Sequence, residues 1–215
     1  MTEQNNAGNN ETSETRSIED AIKYLRETTQ KRKFMQTFDL TINLKNIDMK
    51  KETINREIIL PHGRGRAVAV CTFSDSIPDS ITTANINEMA KNPKLSRKLV
   101  RDYEFFMASP PMMLLVGKVL GRYLAPAGKM PKLLPPNADH NLFLSRTKNS
   151  VKLRAVKQMK IQCPVGNEKM TDAQIAENAR FVISDLEKAL SKGRDQIKNL
   201  LLKLTMGKPT KVVLR

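Results

Sequence analysis

The apolar run at residues 67–73 is the feature that most constrains the fold. Its sequence, Ala-Val-Ala-Val-Cys-Thr-Phe, is almost continuously apolar, which is typical of a parallel strand buried on both faces. Weaker strand and helix patterns alternate after it, as in a small doubly wound α/β unit. In this stretch we predict strands at residues 81–84 and 103–107, helices at residues 95–100 and 110–120, and a loop at residues 121–136.

An α+β pattern lies on each side of that stretch. Before it, Ser17 can cap a helix that closes at Lys31–Lys33, and the strictly alternating segment Thr37–Leu44 predicts a half-buried strand. After it, Thr171 and Gln174 form a capping-box pattern at the start of a long helix. We predict further strands at residues 56–60, 151–156, 158–163, 197–205 and 210–214, with a turn at residues 206–209.

These patterns predict an α/β protein of two domains, one of them discontinuous in sequence. Residues 16–66 and 157–215 form an α+β domain, and residues 67–156 form a doubly wound α/β domain inserted into it. Residues 1–15 are polar and contain no Lys or Arg, so they can bury almost nothing. We therefore expect a disordered tail there.

The charge of the chain points to a polyanionic partner. Lys and Arg number 37 against 22 Asp and Glu, the net charge is +15, and the isoelectric point is near 9.9. The cations are clustered, since the only acid between Glu104 and Glu168 is Asp139 and no acid follows Asp195. Because cations that meet phosphates release counterions, this pattern predicts nucleic-acid binding rather than a basic surface without a partner.

Enzyme, metal and membrane classes lack support in the sequence. Cys71 and Cys163 lie far apart in apolar runs, which favours buried thiols, and we predict no metal site and no cofactor. Glycine spacings fit neither a dinucleotide-binding loop nor a Walker loop, and no catalytic triad emerges. An RNA-modifying enzyme would need a glycine loop directly after residue 73, where residues 74–78 contain no glycine. The apolar runs are too short to span a membrane and no signal peptide opens the chain, so we expect a cytoplasmic protein.

A segment rich in glycine and lysine carries the most specific motif. Residues 124–131, Leu-Ala-Pro-Ala-Gly-Lys-Met-Pro, resemble the signature Leu-Gly-Pro-Arg-Gly-Lys-Met-Pro, with Ala125 and Ala127 as departures. That signature belongs to the large-subunit ribosomal protein one family, the stalk protein at the tRNA exit site. The resemblance covers residues 17–215 and is closest to the archaeal-type branch. Agreement in order and spacing extends to residues 37–44, 60–65, 165–171 and 203–207.

This resemblance implies a structural protein of the large subunit and not an enzyme. Family members bind a bulged helical region of large-subunit rRNA to form the mobile stalk and assist release of deacylated tRNA from the exit site. Many also repress translation of their own operon by binding its mRNA. The implied protein is a monomer when free and is cytoplasmic, on the ribosome's large subunit. A purely regulatory mRNA-binding protein stays an alternative, because it differs only in the RNA that it binds.

The same resemblance implies where the functional residues lie. A Rossmann-like inserted domain is joined to the terminal domain by a two-strand hinge, with Gly63, Arg64 and Gly65 as hinge residues. A glycine permits close approach of the backbone to RNA, and a threonine hydroxyl can bond a ribose 2′-OH. The implied RNA contacts, all in the terminal domain, are Phe38, Thr41, Gly166, Asn167, Lys203, Thr205, Met206 and Gly207.

Several of these positions have a structural alternative. Phe38 lies on the apolar face of its strand and can be a core residue, and Met206-Gly207 can be a simple hairpin turn. Lys208 stands where the family usually has Pro, which alters the turn. Residues 128–131 lie in the inserted domain, where they either shape it or contact RNA.

Overall fold

A computed structural model describes residues 15–47, 54–66, 68–75, 77, 80–135, 140–155 and 158–213. They form two compact units, one built from the described residues up to Arg66 and from Ser150 onwards, the other from those between Val68 and Asn149. The predicted disordered tail lies outside the described residues except for Thr15, which belongs to a strand. No helix within the described ranges is long and apolar enough to cross a membrane.

Helices and strands alternate along the chain, which confirms the predicted α/β class. In chain order they are β1 (Thr15–Arg16), α1 (Ile18–Thr28), β2 (Thr37–Leu44), β3 (Ile54–Ile59), β4 (Val70–Phe73), α2 (Thr83–Lys91), α3 (Pro93–Asp102), β5 (Phe105–Ala108), α4 (Pro110–Ala127), β6 (Lys132–Leu133), α5 (His140–Lys148), β7 (Ser150–Ala155), β8 (Lys160–Asn167), α6 (Asp172–Ala189), a 3-10 helix (Gly193–Gln196), β9 (Ile197–Leu204) and β10 (Thr210–Val212).

The first unit contains a five-stranded sheet packed against α1 and α6. Its strand order is β1-β10-β9-β2-β8, with β1 and β10 parallel and the other neighbours antiparallel. β2 has the predicted bounds and is central, with β9 on one side and β8 on the other. Its apolar residues Phe38, Leu40, Ile42 and Leu44 are buried in one core with both helices. The alternating polar residues therefore line the opposite face of the sheet.

The starts of α1 and α6 follow from their capping motifs. Ser17 Oγ accepts the Asp20 N–H at 3.1 Å, and Thr171 and Gln174 form both bonds of a capping box at 3.4 and 3.2 Å. The predicted end of the first helix is wrong. α1 stops at Thr28, so Lys31–Lys33 lie in the segment that follows it, and Arg26 is the cation of its last turn.

A two-stranded antiparallel sheet, β3 with β7, completes the first unit. It pairs Ile54 with Ala155 at one end and Ile59 with Ser150 at the other. Because this ladder joins β7 to β3, the boundary between the units precedes β7, whereas the predicted boundary follows it at residue 156.

The second unit has a parallel sheet, β4-β5-β6, as the continuous apolar run predicts. Phe73 and Phe106 stack in its core with ring centroids 5.9 Å apart. Cys71 lies in this core and Cys163 in that of the first unit; both are free, buried thiols, and burial raises the pKa of each to about 12.

Two predictions about the second unit need correction, and one helix was not expected. Residues 81–84 do not form a strand, since Ile81 makes only an isolated bridge and α2 starts at Thr83, whose N–H donates to the Asp75 carboxylate at 2.9 Å. The predicted loop at residues 121–136 is helical as far as Ala127, because Leu124 continues the buried stripe of α4. Pro126 is tolerated in the last turn, after which Gly128 ends the helix at φ 66°. α5 was not predicted.

Candidate nucleic-acid interface

The turn Thr205-Met206-Gly207 joins β9 to β10 at one end of the five-stranded sheet. The Thr205 N–H donates to the Thr37 carbonyl at 3.1 Å, and the Gly207 N–H donates to the Leu204 carbonyl at 2.9 Å. Between these two bonds the Met206 side chain is 59% exposed. The backbone of the turn is therefore fixed, while its apolar side chain is presented to solvent.

The Thr205 hydroxyl forms a close group with Thr37, the first residue of β2. Thr205 Oγ1 accepts the Thr37 N–H at 3.0 Å, lies 3.0 Å from the Thr37 hydroxyl, and is within 3.3 Å of the Thr37 carbonyl, to which it can donate. A hydroxyl has one donor and two acceptor sites, so two neighbouring hydroxyls keep bonding capacity for an outside partner. The pair both fixes the turn and offers hydrogen-bonding groups at the surface.

Gly207 is favoured by packing rather than by an unusual backbone angle. A Cβ at this position would lie 2.8 Å from Thr29 Oγ1 and 3.3 Å from Leu204 Cβ. A larger residue would therefore require either the Thr29 side chain or the turn to shift.

Lys203 lies on the polar face of the sheet, opposite Asp39 on β2. Burial raises the pKa of the Asp39 carboxyl, and the nearby charges of Lys203 and Arg64 oppose that rise. Part of the Lys203 charge is therefore balanced inside the protein, and its contact with an outside phosphate depends on the reach of its flexible side chain.

Phe38 and Thr41 are buried in β2, and the structure does not expose either at the turn. Phe38 is 0% exposed, pairs with Gly166 and Leu204, and has the Arg26 guanidinium 5.4 Å from its ring centroid. Phe38 therefore lies in the core, which is the structural alternative that the apolar face of its strand indicates. Thr41 lies three residues further along the strand, with Gln162 Nε2 at 3.5 Å from its hydroxyl.

Gly166 and Asn167 shape the loop after β8. A Cβ on Gly166 would approach Ile175 Cγ1 to 2.9 Å. Asn167 is 2% exposed; its Oδ1 accepts the N–H groups of Lys169 and Met170 at 3.0 and 3.2 Å, and its Nδ2 donates to the Gly65 carbonyl at 2.5 Å. The side-chain amide of Asn167 is therefore engaged in hydrogen bonds within the protein.

The predicted hinge glycines both have left-handed backbones, with φ of 66° at Gly63 and 68° at Gly65. The Gly63 carbonyl accepts from Asn178 Nδ2 at 2.9 Å, and a Cβ on Gly65 would meet the Asn167 side chain at 2.7 Å. Glycine is therefore needed at residue 65 for both conformation and space.

A cavity of about 300 Å³ lies between the end of α1 and the turn. Arg32 and Lys208 contribute cations to its walls. The segment after α1, which contains Arg32, also exposes Phe34 and Met35 next to Lys31–Lys33. Sequence reasoning assigned these cations to the end of the helix and so missed them as candidate RNA contacts. The residues that line the cavity are Tyr24, Leu25, Thr28, Thr29, Gln30, Arg32, Met206, Gly207 and Lys208.

The Gly128–Pro131 segment of the second unit has a structural role in which Lys129 is central. Lys129 Nζ donates to the carbonyls of Val100 and Tyr103 at 2.7 and 2.8 Å. A cation at the carboxyl end of α3 satisfies carbonyls that the helix leaves unpaired. This contact favours the structural alternative for the segment.

Comparison with known proteins matches residues 25–208 to a family described as Ribosomal protein L1p/L10e family. The chain belongs to this family. It is 35% identical to the large ribosomal subunit protein uL1 of Pyrococcus horikoshii over 207 residues, which cover 91% of this chain and 94% of the relative. It is 37% identical to the uL1 protein of Methanothrix thermoacetophila over 209 residues, covering 92% and 99%, and 34% identical to that of Methanobrevibacter smithii over 211 residues, covering 93% and 100%.

Membership of the L1p/L10e family confirms the resemblance seen in the motifs, including its archaeal-type branch. It also confirms that the chain is a ribosomal protein and not an enzyme. The matched range includes the whole Thr205-Met206-Gly207 turn and ends at Lys208.

Proposed function

We propose that this protein binds large-subunit rRNA through a surface centred on the Thr205-Met206-Gly207 turn. The observation that carries the proposal is the fixed backbone of this turn beneath an exposed methionine. A rigid turn loses little conformational freedom when it binds, so the exposed groups on it can contribute fully to affinity.

Each exposed group at the turn has a matching partner in RNA. Met206 can pack on a ribose or a base face, as flexible thioethers do on irregular surfaces. The Thr37 and Thr205 hydroxyls can bond a 2′-OH, which DNA lacks. Arg32 and Lys208 can meet phosphates on either side, so Lys208 adds a cation where the family usually has Pro.

Beyond rRNA binding, family membership supports finer roles as proposals. The protein forms the mobile stalk of the large subunit in the cytoplasm, assists release of deacylated tRNA from the exit site, and represses its own operon by binding an mRNA structure similar to the rRNA site. In this proposal the free protein is a monomer. Phe38, Gly166 and Asn167 support the site from below, Thr41 lies further along the sheet, and Gly63, Arg64 and Gly65 form the hinge.

The decisive experiment removes the exposed methionine. Met206→Ala should weaken binding to an rRNA fragment carrying the bulged helical region by about 5- to 30-fold, because burying a methionine side chain is worth about 1–2 kcal/mol when burial is incomplete. Met159→Ala is the matched control, since Met159 is 47% exposed and bonds through its carbonyl to the Leu44 N–H at the opposite end of β2. Equal affinities of the two variants and the wild type would place the RNA surface elsewhere.

The same titration separates the two candidate RNAs. Competition by the operon mRNA leader at similar concentration supports repression through the same surface. Failure of the leader to compete removes repression from the proposal and leaves rRNA binding in place.

A further inference from the structure

A buried amide lies directly beneath the proposed RNA-binding turn. Gln36, the residue before β2, is 0% exposed. Its Oε1 accepts the Met206 N–H at 3.2 Å, and its Nε2 donates to the Gln30 carbonyl at 3.3 Å and to Glu168 Oε1 at 3.1 Å. One side chain therefore joins the turn, the loop after β8 and the segment after α1.

The contacts fix which end of the amide faces which partner. Met206 offers an N–H, so the atom facing it must be an acceptor, whereas Gln30 and Glu168 offer only oxygens, so the atom facing them must be a donor. A carboxylate at this position would satisfy Met206 but repel two oxygens. A methionine would fill the space and satisfy none of the three.

Glu168 is itself held in place, which makes the anchor rigid. Its carboxylate accepts the Gln36 N–H at 3.1 Å, and its own N–H donates to the Gln36 carbonyl at 3.2 Å. The Arg26 guanidinium donates to the carbonyls of Glu168 and Met170 at 2.8 and 2.6 Å and pairs with Asp172 at 2.7 Å. Arg26 is thereby engaged within the protein.

We propose that Gln36 is a positioning residue for RNA binding, which holds Met206 in the conformation that the RNA meets. The inference rests on the proposed function. The bond to the Met206 N–H is the only hydrogen bond described for that amide, so its loss leaves the middle of the turn without an anchor. Binding must then order the turn, and affinity falls although no group that touches RNA has changed.

Three variants of the full-length protein test this role. Gln36→Met should weaken binding to the rRNA fragment about tenfold and should abolish the hydrogen-exchange protection of the Met206 amide measured by NMR. Gln36→Glu should weaken binding further, because the new carboxylate faces two oxygens. The double variant Gln36→Glu with Glu168→Gln reverses the roles of the pair, so that the amide at residue 168 donates to the carboxylate at residue 36. It should recover most of the affinity.

The matched control is Gln196, a second buried glutamine. It is 2% exposed and its Oε1 accepts the Lys192 N–H at 3.1 Å. It precedes β9, so the full eight-residue strand, about 26 Å, separates it from the turn. Gln196→Met should lower thermal stability to a similar extent as Gln36→Met and leave RNA affinity unchanged. If Gln36→Met does not fold, Gln36→Asn replaces it, since the shortened amide cannot reach Met206.

The outcomes separate this inference from the proposed function. A folded Gln36 variant that binds RNA as the wild type does would refute the positioning role, even if the Met206 amide exchanges faster. Equal losses of affinity in the Gln36 and Gln196 variants would refute it too, because they would reflect general destabilisation. Absence of RNA binding by the wild type would instead overturn the proposed function.

Discussion

Replacing Thr205 by valine removes one hydroxyl from the turn and almost nothing else, because the two side chains have nearly the same shape. The lost oxygen lies 3.0 Å from the Thr37 N–H, 3.0 Å from the Thr37 hydroxyl and 3.3 Å from the Thr37 carbonyl. Thr205 is exposed, so water can replace part of what is lost. We expect a stability loss of about 1 kcal/mol, lowering Tm by about 2–5 °C.

The effect on RNA binding should exceed the effect on stability. In a complex from which water is excluded, the RNA group facing the hydroxyl pair would be left unpaired, which costs about 1–3 kcal/mol, or about 5- to 150-fold in Kd. Fluorescence anisotropy with a labelled rRNA fragment and thermal unfolding by circular dichroism, on the same samples, measure both quantities.

Thr205→Ser is the control, because serine keeps the hydroxyl and should retain both affinity and most of the stability. If Thr205→Val unfolds at a lower temperature but binds RNA like the wild type, the hydroxyl only stabilises the turn. That result would remove Thr205 from the interface.

Four further predictions address the site and its support. RNA affinity should fall with salt with a log–log slope near −3 to −5, for about five phosphate contacts; a flat response would exclude a phosphate-driven interface. Gly207→Ala should weaken RNA binding and lower Tm, because the new Cβ would lie 2.8 Å from Thr29 Oγ1. Adding Thr29→Ala should restore part of the affinity and part of the Tm. If Gly207→Ala changes neither quantity, that result refutes the packing argument. Asp39→Asn should leave the stability at pH 7 unchanged or raise it. Burial raises the pKa of this carboxyl in the folded protein, so the wild type loses stability as the pH rises from the unfolded-state pKa through the folded-state pKa. A clear loss of stability in the variant would contradict this argument. Replacing residues 68–149 by a short linker, which keeps β7, should leave rRNA binding largely intact; a folded variant that does not bind would place part of the site in the second unit.

Local patterns predict the elements of the first unit well. The bounds of β2 follow from strict alternation between Thr37 and Leu44, and the start of α6 follows from the Thr171 capping box. Both signals are contained within a few neighbouring residues, so they do not depend on the rest of the fold. The Gly and Pro residues after Leu120 predict the end of α4, but the buried stripe of Leu120 and Leu124 outweighs them and the helix continues past Gly121.

The supporting contacts of the candidate site cannot be predicted from local sequence patterns, because they join residues far apart in the chain. The turn could be found from its family motif, but the roles of Gln36 and Asn167 depend on partners more than 100 residues away. A lone glutamine before a strand has no periodicity to mark it. Asn167 stays a predicted RNA contact, and no local pattern marks the bonds that its amide makes to the Lys169 and Met170 N–H groups and to the Gly65 carbonyl.

The central position of β2 has a consequence for how the protein is made. Both of its neighbours, β8 and β9, are translated more than 100 residues later, and β9 follows after roughly 150 residues, or about 8–30 s of synthesis. During that time β2 emerges from the ribosome with both edges unpaired, which invites aggregation. The second unit pairs strands that all precede β8 in the chain, so it can fold meanwhile. Folding of the first unit therefore waits for β9, and the turn that follows β9 is completed almost at the same moment as the sheet that supports it.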